Sequence, residues 1–228
     1  MFYYYDPTYI LVIIGAVLSL WASSNVNGAI ERYRRVNSST GLTAAEAAKR
    51  ILNDNGIYDV TVRMISSGSS DYYSPKQKEV CLLSANYNST SIASIGIAAH
   101  ECGHAIQHAT GYVPLVLQQN LAPVCSFGSS IGIYAAIIGM VIGWTSLINI
   151  GIVLFIFGVA FSVLLLPIEY NASNRALKIL ESNGMLQGAD LKGAKKVLRA
   201  AGLTYVAAAA SSILQLLRLI LMSRSNRR

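Results

Sequence analysis

Charge is what this sequence lacks most. Only 13% of its 228 residues are Asp, Glu, Lys or Arg, against 53% hydrophobic residues, and its mean hydropathy is +0.45. Between Cys102 and Ile168 there is no Lys, Arg, Asp or Glu at all. A soluble domain of ordinary size cannot solvate its surface on that supply. The absence excludes a typical water-soluble globule and points to insertion in a bilayer. Cysteine is also scarce: Cys81, Cys102 and Cys125 stand at unrelated spacings. They make neither a disulfide framework nor a Cys-x-x-Cys metal pair, which leaves them as small buried residues in a reducing compartment. The opening "MFYYYDPTYI" lacks the basic n-region of a signal peptide, so the apolar run behind it is expected to stay as an anchor. No basic–aromatic motif or zinc knuckle accompanies the net charge of +7, so nucleic acid is not an expected partner. Internal repeats and low-complexity segments are missing too.

What is present is apolar length. Residues 9–27 suffice for a first transmembrane helix, with Tyr9 and Trp21 as interfacial anchors. Arg32, Arg34 and Arg35 follow directly, which argues that this end faces the cytoplasm. Residues 122–143 and 147–167 are two further spans, parted around Trp144. Residues 203–222 are a candidate fourth; crossing there would carry Arg218 and the terminal "RSNRR" to the opposite side, against the positive-inside rule. Residues 28–121 form a subdomain between the first two spans, and residues 168–202 read as polar helices.

Within that subdomain, "GLTAAEAAKRILNDNG" has helical periodicity, with Thr43 as N-cap and Gly56 as stop. "IYDVTVRMIS" alternates like a strand, "SGSSDYYSPK" is turn-rich, and "EVCLLS" is a second short strand. Together they predict a small helix-plus-hairpin subdomain. A further helix is expected from near Ser91 through His108, ending by Gly111 and Pro114.

All the histidine in the chain lies in that last helix: His100, His104 and His108 within "AAHECGHAIQH". His100-Glu101-Cys102-Gly103-His104 matches H-E-x-x-H. Residues i and i+4 return to one helical face about 6 Å apart along the axis, so two imidazoles can converge on one zinc ion. Glu101 lies beside the metal and can take a proton from the zinc-activated water. Cys102 and Gly103 are expected to point away from the metal, with Gly103 permitting close packing behind the helix. A chance match to a short pattern is the bland alternative; three histidines on one face and none elsewhere argue against it. His108 is about 12 Å along a straight helix from His100, too far for one tetrahedral ion to take all three. The H-E-x-x-H-x-x-G-x-x-H pattern would break the helix at a glycine, but Ala105-Ile106-Gln107-His108 does not. His108 is therefore read as a neighbour of the site.

A catalytic zinc keeps three protein ligands and an open position. Only Glu169, Glu181 and Asp190 follow the charge-free stretch. Glu169 is the strongest candidate: two spans separate it from His104, and an even number of crossings returns it to the same side. Its expected position is the start of a helix, where the dipole alone would favour a carboxylate.

"AAHECGHAIQHATGY", "LPIEYNASNRAL", "KGAKKVLRAAGLTYVAAA", "TGLTAAEAAKRIL" and "SDYYSPKQKEV" together resemble the YugP-like family of putative neutral zinc metallopeptidases, bacterial membrane proteins. The resemblance covers essentially the whole chain. It implies one zinc ion per chain, His100 and His104 as ligands and Glu101 as catalytic base. The more distant HtpX-like membrane peptidases, whose third ligand opens an E-x-x-x-D helix, suggest Glu169 for that role. Ser173 stands where their pattern has Asp, and Asn171 where relatives commonly carry an acidic residue.

The expected protein is thus a mostly α membrane protein, a single domain over residues 1–228. It has a zincin-like H-E-x-x-H helix, a helix-plus-hairpin subdomain and three to four transmembrane helices. Its expected function is zinc-dependent hydrolysis of protein or peptide substrates, membrane proteins among them, at the cytoplasmic face of a multi-pass plasma-membrane protein. "EVCLLSAN" is expected to offer a strand edge to an extended substrate. The rivals are an intramembrane zinc protease, which would place an Asp ligand in a distant span, and a metal-binding membrane protein that hydrolyses nothing. A structural site would not need Glu101 and would fill all four positions. A transporter would want polar residues spread through the spans.

Overall fold

The computed structural model describes residues 7–68 and 70–225. In chain order the elements are α1 (Tyr9–Arg34), α2 (Ala44–Asp54), β1 (Thr61–Ile65), β2 (Tyr72–Ser74), β3 (Glu79–Leu83), α3 (Ser84–Tyr87), α4 (Ile92–Ala109), α5 (Val113–Ile142), α6 (Thr145–Ser182) and α7 (Gly188–Ser225). Four of the helices, α1, α5, α6 and α7, are long and apolar enough to cross a membrane. The chain divides into two compact units. One takes the chain up to Ser23, Leu117–Leu166 and Thr204 onward; the other takes Ser24–Val116 and Pro167–Leu203.

The first unit is built by small residues. A Cβ at Gly132 would lie 2.8 Å from Gly151 O, one at Gly139 2.8 Å from Ile148 N, and one at Gly151 2.4 Å from Ala136 N. These helices of α5 and α6 therefore touch backbone to backbone, as helices do in lipid, where burial of apolar surface supplies no drive. Gly143, at φ +72, makes the turn between them. On α1 and α7, the Ser211 hydroxyl donates to Gly15 O at 3.0 Å and lies 3.2 Å from Ser19 Oγ. Leu20, Val124, Phe127, Val141 and Phe157 remain exposed, as lipid-facing side chains would be.

The second unit has a core of the water-soluble kind. Alanines of α2 (Ala44, Ala45, Ala47, Ala48) pack with Ile92, Ile95, Ala98, Ala99 and Cys102 of α4, closed by Val80 and Leu82 of β3, Leu180 of α6 and Leu198 of α7. Thr43 caps α2 as predicted, in a reciprocal box with Glu46, and Gly56 follows it at φ +70. Ser91 caps α4 by accepting from Ser94 N. The Ser94 hydroxyl donates to Asn86 Oδ1 at 2.9 Å, and Asn86 Nδ2 donates to Asp71 at 2.6 Å, so the turn before β2 is tied to the start of α4.

Three features differ from the expectations. The sheet has three strands in the order β1-β3-β2, because part of the turn-rich segment pairs as β2. The hairpin is β2–β3, with Tyr73 opposite Val80, while β1 joins β3 in parallel, with Thr61 opposite Glu79. β3 is thereby the central strand, paired along Glu79–Leu83 by β1 and along Glu79–Cys81 by β2, and the "SAN" that follows belongs to α3. Second, α6 does not stop at Pro167. It continues as one helix with that proline inside, so Glu169 lies deep within α6 and the pull of a helix N-terminus does not explain it. Third, the basic segment and the candidate fourth span are one helix, α7, and Arg218 stacks on the Tyr9 ring at 4.3 Å to the centroid.

Candidate metal centre

The site lies within the second unit, where α4 meets α6. Gly103 does not pack behind the helix as expected but faces α6 and makes the approach possible: a Cβ there would stand 2.6 Å from Ala172 O. Ala172 is fully buried, one turn beyond Glu169 and next to Ser173. The close contact therefore brings the carboxylate-bearing turn of α6 against the histidine face of α4. Cys102 points the other way, its thiol donating to Ala48 O at 3.6 Å. Burial pushes the Cys102 pKa well up, leaving the thiol protonated and inert.

Three donor atoms converge. His100 Nε2 and His104 Nε2 lie 3.2 Å apart. Glu169 Oε2 lies 3.2 Å from the first and 3.7 Å from the second. A tetrahedral ion with bonds of about 2.0–2.1 Å holds its ligands roughly 3.3–3.4 Å apart, so the triangle has the size zinc requires. Glu169 Oε2 is buried and has no hydrogen-bond partner. A buried carboxylate oxygen in that state wants a cation.

The imidazoles are oriented through their far nitrogens. Gln107, fully buried, donates from Nε2 to Ile168 O at 2.8 Å and to Asn171 Oδ1 at 3.0 Å. A carbonyl only accepts, which fixes the amide's orientation and leaves Gln107 Oε1 facing His104 Nδ1 at 3.0 Å. Asn171 Oδ1 is itself held by Arg175 Nε at 2.8 Å. His104 therefore carries its proton on Nδ1 and turns the Nε2 lone pair to the centre. His100 Nδ1 lies 3.1 Å from Ser173 Oγ, which can accept in the same way.

Electrostatics favour positive charge at this point. Burial pulls the His104 pKa down, but the neighbouring Glu169 carboxylate, the charge of Glu101 and the contact with Gln107 more than reverse it, and the net shift is upward. Burial raises the pKa of Glu101, with Glu169 and Asp71 adding to the rise and the two histidines opposing it. His108 stands apart: its Nδ1 is 2.9 Å from the Tyr73 hydroxyl, which ties α4 to β2. The group able to hold an ion is His100, His104 and Glu169. Gln107 escaped the sequence reading. Its one signal there was an amide three residues after His104, on the same helical face as His100 and His104.

Residues 8–224 match the family described as "Putative neutral zinc metallopeptidase". The chain belongs to that family. Among its relatives is the protein named "Putative membrane protease YugP" of Bacillus subtilis (strain 168). The two are 42% identical over 217 residues, covering 95% of this chain and 96% of the relative. No solved structure matches. For a member of the zinc metallopeptidase family the donor set is apt: two neutral imidazoles and one carboxylate leave a fourth position open, as catalytic zinc sites do. Ser173 and Asn171, the two departures from acidic residues, lie against His100 Nδ1 and the Gln107 amide. Both are neutral.

Proposed function

We propose that this chain is a membrane-anchored zinc endopeptidase in which His100, His104 and Glu169 hold the ion and Glu101 is the general base. The observation that carries the reading is the triangle of donor atoms at 3.2, 3.2 and 3.7 Å, one corner of which is a buried carboxylate oxygen without a hydrogen bond. Bound zinc supplies Lewis acidity, making a water acidic near neutral pH and polarising the scissile carbonyl.

The rest falls to the protein. Gln107 and Ser173 keep the two imidazoles in register through their Nδ1 protons. The Glu101 carboxylate takes the proton of the attacking water, and the same oxygen returns it to the nitrogen of the departing amine. A cytoplasm-facing site at the membrane surface is supported by Arg32, Arg34 and Arg35 at the end of α1 and by the position of Glu169 just beyond the apolar run of α6. The charged, soluble-type packing of α2 and the sheet around α4 speaks against a site within the bilayer. The relative's name, a membrane protease, agrees with peptide or protein substrates.

The test is purification in detergent, zinc quantification and cleavage of a casein-type substrate by wild type and Glu101→Gln. The proposal expects the variant to keep its metal and lose cleavage. Equal cleavage by both would defeat it.

A further inference from the structure

A second concavity lies away from the histidines, between the end of α1 and the first turns of α7. Its volume is about 490 Å³, and it is lined by Ser24, Gly28, Arg32, Tyr33, Lys196 and Arg199, among others. That size falls in the range of about 300–1,000 Å³ typical of small-ligand sites.

Its chemistry is one-sided. Arg32, Lys196 and Arg199 put three cations on the cavity, and no Asp or Glu lines it. None of the three has an ion-pair partner among the described residues. The acids on the neighbouring turns are engaged elsewhere. Glu31 pairs with Arg35, and Asp190 accepts from both the amide and the hydroxyl of Ser39 at 2.8 Å. Small and apolar residues, Gly28, Ala29, Ala200 and Leu203, are also part of its lining. Space is left at Gly28, where an added Cβ would meet nothing within 4 Å.

Position supplies the second half of the argument. The apolar run of α1 ends just before Gly28, and that of α7 begins at Leu203. With both helices crossing the bilayer, as the proposed function has it, the cavity stands at headgroup depth. Its cations then lie at the level of the lipid phosphates and its apolar lining beside the acyl chains. Basic pockets between membrane helices on the cytoplasmic side hold anionic headgroups in this way.

We infer that the cavity bounded by Arg32, Lys196, Arg199 and Gly28 is a binding site for the phosphate group of an anionic phospholipid drawn from the surrounding bilayer.

The test uses the full chain in phosphatidylcholine vesicles containing phosphatidylglycerol. Retained phosphatidylglycerol is measured by native mass spectrometry after extraction. The variants are the triple Arg32→Gln, Lys196→Gln, Arg199→Gln and the single Gly28→Leu, which fills the cavity without altering charge. A basic side chain near a bilayer surface is worth about a fivefold change in affinity, so the triple variant should retain roughly a hundredfold less lipid. Gly28→Leu should also lose most of the retained lipid. Wild-type retention in both variants overturns the site. Loss in the triple variant alone means diffuse surface attraction and overturns it equally. Displacement of phosphatidylglycerol by excess inorganic phosphate, with equal phosphate binding in pure phosphatidylcholine, would make free phosphate the ligand and overturn the lipid assignment. Flotation with pure phosphatidylcholine vesicles checks the membrane reading separately, and circular dichroism checks that each variant is folded.

Discussion

Gly103→Ala tests how the carboxylate reaches the histidines. The new Cβ would lie 2.6 Å from Ala172 O and 3.1 Å from Ala172 C and Cα. All three are backbone atoms, so no side chain can swing aside, and α4 and α6 must part by about half an ångström in a close-packed interior. Overpacking of this kind costs about 1–3 kcal/mol. Replacing a helical glycine with alanine returns about 1 kcal/mol of helix propensity. Net stability should therefore fall by only about 0–2 kcal/mol. Zinc should suffer more. The displaced turn of α6 carries Glu169 and Ser173, and disturbing the support of a metal ligand typically costs about 10–100-fold in affinity. Gly96→Ala on the same helix is the control: its Cβ would meet Ala194 Cβ at 3.4 Å, an ordinary contact. It should gain up to about 1 kcal/mol and bind zinc as wild type does. The assay is thermal melting in detergent together with zinc competition against a chelator. If Gly103→Ala binds zinc as tightly as Gly96→Ala, the backbone contact does not position the site.

Three further outcomes are expected. Gln107→Ala leaves His104 Nδ1 without its acceptor and should weaken zinc about 10–100-fold, as chelator competition would record; unchanged affinity would remove Gln107 from the site's support. Ser173→Asp places a carboxylate at His100 Nδ1, now 3.1 Å from a hydroxyl, and should slow zinc loss to a chelator. Faster loss would contradict it. Cys102, buried and with its thiol pKa pushed up, should resist alkylation in the folded protein and react only on unfolding, by mass spectrometry of labelled peptides.

Much of this could be read from the chain because its signals are local. Thr43 at the start of α2, Gly56 after its end and Ser91 before α4 act through their own turns. His100 and His104 needed only the helical period, while Glu169 needed the scarcity of acids beyond the charge-free stretch, the even number of spans after His104 and the family resemblance. What escaped depends on partners distant in sequence. Pro167 reads as a helix end, yet α6 runs through it, packed through Ala172 against Gly103. The parallel pairing of β1 with β3 is invisible to alternation, which gives a strand but not its neighbour or direction. The Arg175–Asn171–Gln107–His104 chain joins two helices far apart in sequence and has no periodic signature.

The proposed catalysis requires two histidines and one glutamate to hold one zinc ion with a position left open. Zinc-edge X-ray absorption on the purified, metal-loaded protein measures that shell directly. The expected spectrum has two imidazole nitrogens and carboxylate and water oxygens at about 2.0–2.1 Å, without sulfur. A third imidazole, which could only be His108, or a sulfur scatterer at about 2.3 Å would contradict it.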